Sequence, residues 1–242
     1  MKKLLFLPLL GLMLTGCYTE QDQINKNEAI VLSANQGAPI TDQRAGEWLS
    51  RYTTSDYKFK QYNLFSKERI ESVLSESGVV GVRFYLGKNE DGTESIILTG
   101  VQQNGKSTIF NKESSVESFY KPVAIELGDK QSLLARNDNS TVSTKMDGQE
   151  ALIRYKNEDP NRLRGFYWGR NIIEELLQNK IMTGISFTMA MNENHKLEPL
   201  LIAIDESAEI IRNGVLNRAE GGGGTFVDDT LPCPDKCDPE LE

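Results

Sequence analysis

Ala45-Gly46-Glu47-Trp48-Leu49-Ser50-Arg51-Tyr52 returns later in the chain as Gly148-Gln149-Glu150-Ala151-Leu152-Ile153-Arg154-Tyr155. At the same constant offset, and with no gap, the whole of Ala45 to Gln102 lies over Gly148 to Asp205. Ile70, Glu71 and Leu74 fall on Ile173, Glu174 and Leu177, Gly81 and Phe84 on Gly184 and Phe187, and Asn89, Glu90 and Leu98 on Asn192, Glu193 and Leu201. Val73 with Leu176, Val82 with Ile185, Val101 with Ile204 and Phe65 with Trp168 are conservative pairs. An internal period governs the architecture, and this one predicts two copies of a unit of roughly 65 residues. Repeat unit 1 occupies residues 41–110 and repeat unit 2 residues 145–218, joined by a segment, 111–144.

Each copy has the same local grammar. Ala45, Trp48, Leu49 and Tyr52 recur at helical spacing, and Ala151, Leu152 and Tyr155 repeat the stripe. Asp147 with Glu150 offers a capping box for the second copy. A second helix follows, faced by Ile70, Val73 and Leu74 in copy one and by Ile173, Leu176 and Leu177 in copy two; Ser66 is its expected cap, with Gly169 standing there in the second copy. Val80, Val82, Phe84 and Leu86 then alternate with Gly81, Arg83 and Tyr85 as in a half-buried strand, and Ile185, Phe187 and Met189 repeat the inward set. Asp91-Gly92 turns the chain into a second strand, Ser95 to Val101, whose counterpart is Leu200 to Asp205. Asn104-Gly105 offers the first copy one strand more. The unit reads helix, helix, strand, strand. The predicted class is therefore α+β, two tandem units forming one antiparallel sheet with helices on one face. Between the units, Pro122 to Leu127 has strand composition and Asn137-Asp138-Asn139-Ser140-Thr141 loop composition, and 111–144 reads as irregular.

The chain opens with Lys2 and Lys3, an uncharged run from Leu4 to Leu14, and Leu14-Thr15-Gly16-Cys17. Charged, apolar and small residues in that order make residues 1–16 an export signal. The run falls short of the about 20 residues that span a bilayer core, and Pro8 removes a helix hydrogen bond in its middle. Leu14-Thr15-Gly16-Cys17 resembles the lipobox of bacterial lipoproteins. That resemblance implies cleavage before Cys17 and lipid, palmitate included, on the new terminal cysteine. Several chains anchor firmly where one binds marginally, since each buried methylene contributes about 0.8 kcal/mol. Tyr18, standing where an aspartate would retain such a protein at the inner membrane, implies the outer membrane, and Glu20 and Asp22 resemble the acidic surface-export signals of Bacteroidetes lipoproteins. Residues 17–40 read as lipidated cysteine and flexible tether.

With 27 Lys and Arg against 35 Asp and Glu the formal net charge is −8, and losing Lys2 and Lys3 with the signal takes it to about −10. Phosphate contacts dominate nucleic-acid affinity, so a nucleic-acid partner is excluded. Of the three cysteines, two remain after lipidation, Cys233 and Cys237. In an oxidising compartment a local disulfide is the first expectation, ahead of free or intermolecular thiols and of a metal, which needs about four ligands.

Residues 219–242 read as a Gly-rich linker, Gly221 to Gly224, and a tail, Cys233-Pro234-Asp235-Lys236-Cys237, which resembles the ends of Bacteroidetes envelope lipoproteins. Its cysteines stand one residue too far apart for a thioredoxin-type redox pair. Asp228, Asp229, Asp235 and Asp238 lack the spacing of a calcium loop, and Asp229-Thr230-Leu231 resembles a short O-glycosylation acceptor. His195, the single histidine, falls in the predicted turn where copy one has Gly92. It reads as a surface residue, because a nucleophile, base and orienting group cannot be assembled around it. Glu174 and Glu175, with Glu71 in the other copy, offer the carboxylates of a glycosidase-like acid and base, although solvated helix faces carry such charges routinely. Trp48 and Tyr52 read as core. Phe166, Tyr167 and Trp168, at a loop-to-helix junction, are the candidate binding aromatics, with packing as the simpler reading. No catalytic residue, metal or cofactor is assigned. The expected function is a membrane-anchored, non-enzymatic envelope module that binds a protein or a glycan. The alternatives are an envelope hydrolase with carboxylate acid and base, or an inhibitor or immunity-type protein.

Overall fold

Thr41 starts the first helix. Its hydroxyl oxygen accepts the Arg44 backbone N–H at 3.3 Å, and α1 (Asp42–Thr54) buries the predicted stripe of Ala45, Trp48 and Tyr52. In the computed structural model, residues 31–55, 61–110, 118–120, 123–126, 142–159, 163–206, 210–211, 226–228 and 231–233 are described. Around α1 the first half of the chain contributes β1 (Ala38–Ile40), β2 (Gln61–Ser66), α2 (Lys67–Leu74), β3 (Val79–Lys88), β4 (Glu94–Gln102), β5 (Ser118–Tyr120) and β6 (Val123–Glu126). The second half contributes β7 (Val142–Thr144), α3 (Lys145–Glu158), β8 (Gly165–Gly169), α4 (Arg170–Leu177), β9 (Gly184–Met191), β10 (Leu197–Ile204), β11 (Phe226–Asp228) and β12 (Leu231–Cys233). The class is α+β, and no helix among the described residues is long and apolar enough to cross a membrane.

Several expectations change. Between the two helices of each half runs a strand, β2 or β8, where the sequence reads as loop; Gln61 to Ser66 alternates too weakly to announce itself. α3 begins at Lys145, so Asp147 lies inside its first turn rather than at the cap position before it. Ser66 and Gly169 do occupy the positions before α2 and α4, but Ser66 makes no side-chain capping bond. Segment 111–144 contains β5, β6 and β7, and the tail contains β11 and β12.

The strands form two six-stranded sheets rather than one. The first runs β1-β11-β10-β9-β2-β6 and the second β12-β8-β3-β4-β5-β7, so each draws three strands from each half. The reason lies in β2 and β8. β2 pairs antiparallel with β9 of the other half as well as with β6 of its own, and β8 with β3 as well as with β12. Between the sheets lies an aromatic core. Phe84 stacks on Phe187 with ring centroids 5.3 Å apart, Trp168 meets both rings edge-on at 5.5 and 6.2 Å, and Phe65 meets Phe84 edge-on at 5.2 Å. α2 and α4 add Ile70, Val73, Ile172, Ile173 and Leu176 to that core. α1 covers the other side of the first sheet, with Ala45 and Trp48 against Ala190, Leu200 and Ile202. α3 covers the other side of the second, with Ala151 and Leu152 against Tyr85 and Ile97. β3 is consequently buried on both faces, and the alternation expected of a half-buried strand is absent: Arg83 and Tyr85 are as enclosed as Val82 and Phe84.

Candidate functional site

Cys17 and Cys237 lie outside the described residues. The backbone of Cys233 ends β12, opposite Gly165 of β8. Phe166, Tyr167 and Trp168 form the middle of β8, and all three are buried. A ring enclosed on both sides has no face on which a sugar can stack, so these aromatics pack the core rather than form a platform. Glu71 and Glu174 are exposed, and Glu174 accepts Arg170 Nη1 at 2.9 Å, a helix-surface pair one turn apart. His195 is exposed and takes a positive φ of 58° in the β9–β10 turn. Among the described residues no three His, Cys, Asp or Glu side chains converge to hold a metal.

Two polar clusters escape the sequence reading. The first lies where α1 meets the β9–β10 turn. Glu193 accepts Trp48 Nε1 at 2.8 Å and Arg44 Nη2 at 2.9 Å, while the Arg44 guanidinium sits 4.7 Å above the Trp48 ring. Its own backbone N–H, then Trp48 and Arg44, hold the Glu193 carboxyl below the usual range. Beside it Asn192 Nδ2 donates to Glu198 at 2.9 Å, and Asn192 Oδ1 accepts the backbone N–H groups of Asn194 and Lys196 at 2.9 and 3.0 Å. Burial pushes the Glu198 carboxyl up, partly offset by the Asn192 bond and by Lys196. No local signal links Trp48 with Glu193, since only the fold joins residues so distant in sequence.

The second cluster is internal. Arg83, fully buried, donates from Nη1 to the Tyr85 hydroxyl at 2.9 Å and to Gly105 O and Ser107 Oγ at 3.4 Å. Its guanidinium lies 5.5 Å from the Tyr85 ring and 5.9 Å from that of Tyr167. Tyr85 and Ser107 hydroxyls are 2.9 Å apart. Burial pushes the Tyr167 hydroxyl up to about 12, with the Arg83 charge acting the other way. That proton therefore stays in place and is donated to the carbonyls of Ser33 and Val80, at 3.0 and 3.2 Å. The group acts as a pin and not as a base. Arginine in an alternating strand reads as solvent-facing, and the only sequence sign of its burial is the tyrosine two residues on.

Both clusters fasten elements together, and neither sets a nucleophile beside a base. No family model, curated protein or solved structure matches this chain.

Proposed function

We propose that this chain is a lipid-anchored protein of the bacterial outer membrane, held through Cys17, that acts by binding an envelope protein or glycan rather than by catalysis. The observation that carries the reading is Leu14-Thr15-Gly16-Cys17 at the end of an uncharged run. The described residues begin at Val31, and a fully extended chain from Cys17 to Leu32 would span at most roughly 50 Å. The domain therefore works close to the membrane surface.

We further read the domain as two copies of one β-α-β-α-β-β-β-β unit, larger than the sequence identities alone span. Pairing partners support this. Ser66 pairs with Gly184 and Phe65 with Ile185; at the offset that lays Ala45 on Gly148 these become Gly169 with Gly81 and Trp168 with Val82, and both are made. Arg51 Nη1 donates to Met191 O at 3.4 Å, and its counterpart Arg154 donates from Nε to Lys88 O at 3.0 Å, the corresponding atom of the other half. Replacing β1–β6 by β7–β12 in the order of the first sheet yields the second sheet read backwards. On this reading the units are 38–126 and 142–233, and β5, β6, β11 and β12 are the closing strands of each.

The test of the anchored reading is labelling with an alkyne fatty acid in the native host, beside a Cys17→Ala form. Label and membrane fractionation are expected in the wild type and lost in the variant; a Cys17→Ala protein that keeps both sinks the reading. Cross-linked co-purification from membranes, with the same control, then decides between a protein partner, expected as one species lost in the control, and a glycan.

A further inference from the structure

Four antiparallel ladders cross between residues 38–126 and 142–233: β1 with β11, β2 with β9, β3 with β8, and β5 with β7. α1 of the first half packs on the first sheet through Ala190, Leu200 and Ile202, all of the second half. α3 of the second half packs on Tyr85, Ile97 and Ile109 of the first. The aromatic core is divided likewise, with Phe65 and Phe84 on one side and Phe166, Trp168 and Phe187 on the other. Neither half encloses a core by itself. Two sequences that expose a core apart and bury it together have the character of an obligate interface, hydrophobic at its centre and sealed by hydrogen bonds.

We propose that this interface is a self-association surface: the two halves recognise each other without residues 127–141, and a second copy of the chain can supply the complementary half, giving a half-exchanged dimer. Every ladder and every ring contact is the same whether the partner half belongs to the same chain or to a neighbour, as in domain swapping. Only the connection decides. Because the two halves are covalently joined, closure within one chain is a unimolecular event, so the closed monomer prevails in dilute solution. Exchange gains when the chain is concentrated or the link is too short to close. The proposal goes beyond membrane anchoring and needs no lipid, so its failure would leave that reading standing.

The test uses the full chain carrying Cys17→Ala, with a protease recognition sequence in place of Asn137 to Ser140. Cut while folded, it is expected to elute as a single species at the position of the uncut chain, with both fragments present. When cut protein of natural and heavy isotope composition is mixed, partially unfolded in urea and returned to buffer, native mass spectrometry is expected to show mixed pairs making up about half of the particles. A second variant that joins Glu126 directly to Val142, leaving about 3.8 Å between their Cα atoms, is expected to be a dimer by light scattering, with the far-ultraviolet spectrum of the parent. Fragments that part on cutting, or pairs that never mix, overturn the recognition; a folded, monomeric deletion variant overturns the exchange.

Discussion

Gly81 and Gly184 are identical at equivalent places, and the structure gives the same reason for both. A Cβ at Gly81 would sit 2.3 Å from Trp168 O and 2.6 Å from the Tyr167 ring; at Gly184 it would sit 2.5 Å from Phe65 O. An ordinary carbon–oxygen contact needs about 3.3 Å, so alanine at either place must move the exchanged strand by nearly 1 Å, against an interstrand spacing of about 4.8 Å. The obstacle is backbone and cannot rotate away. Overpacking of this kind costs about 1–3 kcal/mol, and the lower chain entropy of alanine returns only about 0.5–1 kcal/mol. Gly81→Ala and Gly184→Ala should therefore each lose about 2 kcal/mol. Gly46, exposed within α1 and with nothing within 4 Å of its Cβ, should do the opposite: Gly46→Ala should gain about 0.5–1 kcal/mol. Urea unfolding followed by far-ultraviolet dichroism measures all three, and thermal midpoints should move by about 2–4 °C per kcal/mol for a domain of this size. A Gly81→Ala protein within about 0.5 kcal/mol of the parent would refute the close approach of β3 and β8, and with it the exchange of strands between halves.

Phe84 and Phe187 stack across the two halves; Phe84→Ala or Phe187→Ala should each cost about 3–5 kcal/mol, and the double variant should fall short of additivity by about 0.5–1.5 kcal/mol, read by Trp168 fluorescence in denaturant. Strict additivity would dissolve the pair. His195 takes a φ of 58° at the position that Gly92 fills in the other hairpin, with a φ of 83°, so His195→Gly should stabilise by up to about 1 kcal/mol, and a loss would mean that the ring is held by something else. The Glu198 carboxyl is raised by burial. Its contribution is fully present below the unfolded value near 4.5 and is lost as pH rises through the higher folded value. Glu198→Gln should thus remove a decline in stability above that pH; identical pH profiles for variant and parent would contradict the burial.

The α+β class was legible in the sequence, and the proposed period rests on residues that the exchanged pairing uses twice. Glu47 with Arg51 and Glu150 with Arg154 form matching helix-surface pairs at 3.7 and 3.3 Å, which aim each arginine at the strand end of the other half. Asn89 and Asn192 begin the two hairpin turns, each donating its backbone N–H to the residue that closes the turn, Thr93 or Lys196, at 2.9 Å. Those are local or repeated demands. What could not be read is which half completes which sheet, since antiparallel pairing leaves the same alternation whoever the neighbour is. β6 falls within Pro122 to Leu127, whose composition is that of a strand, whereas β5, β11 and β12 were illegible for a different reason. They are three residues long, too short for a periodic signal, and owe their form to the strands beside them. Packing, the simpler reading of Phe166, Tyr167 and Trp168, is the one their burial bears out, although the strand that carries them, β8, was not read from the sequence.

Where the proposed copies differ, pairing is not the cause, and the differences concentrate where the chain enters the domain. Arg83 pairs with Tyr167 on the outer side of the second sheet; the counterparts in the first sheet, Ser186 and Leu64, pair likewise but carry neither charge nor phenol. The second sheet needs them for a task the first does not have. Leu32 donates its backbone N–H to Gln103 O at 3.0 Å, Ser33 O accepts the Tyr167 hydroxyl, and Gln36 O and Ala34 O accept the backbone N–H groups of Gly169 and Asn171 at 2.8 and 2.9 Å. Only then does the chain cross to the first sheet, as β1 against β11. On the anchored reading proposed above, a pull entering at residue 31 would reach the second sheet through Leu32 to Gln36 and the first through β1, so both halves would share it.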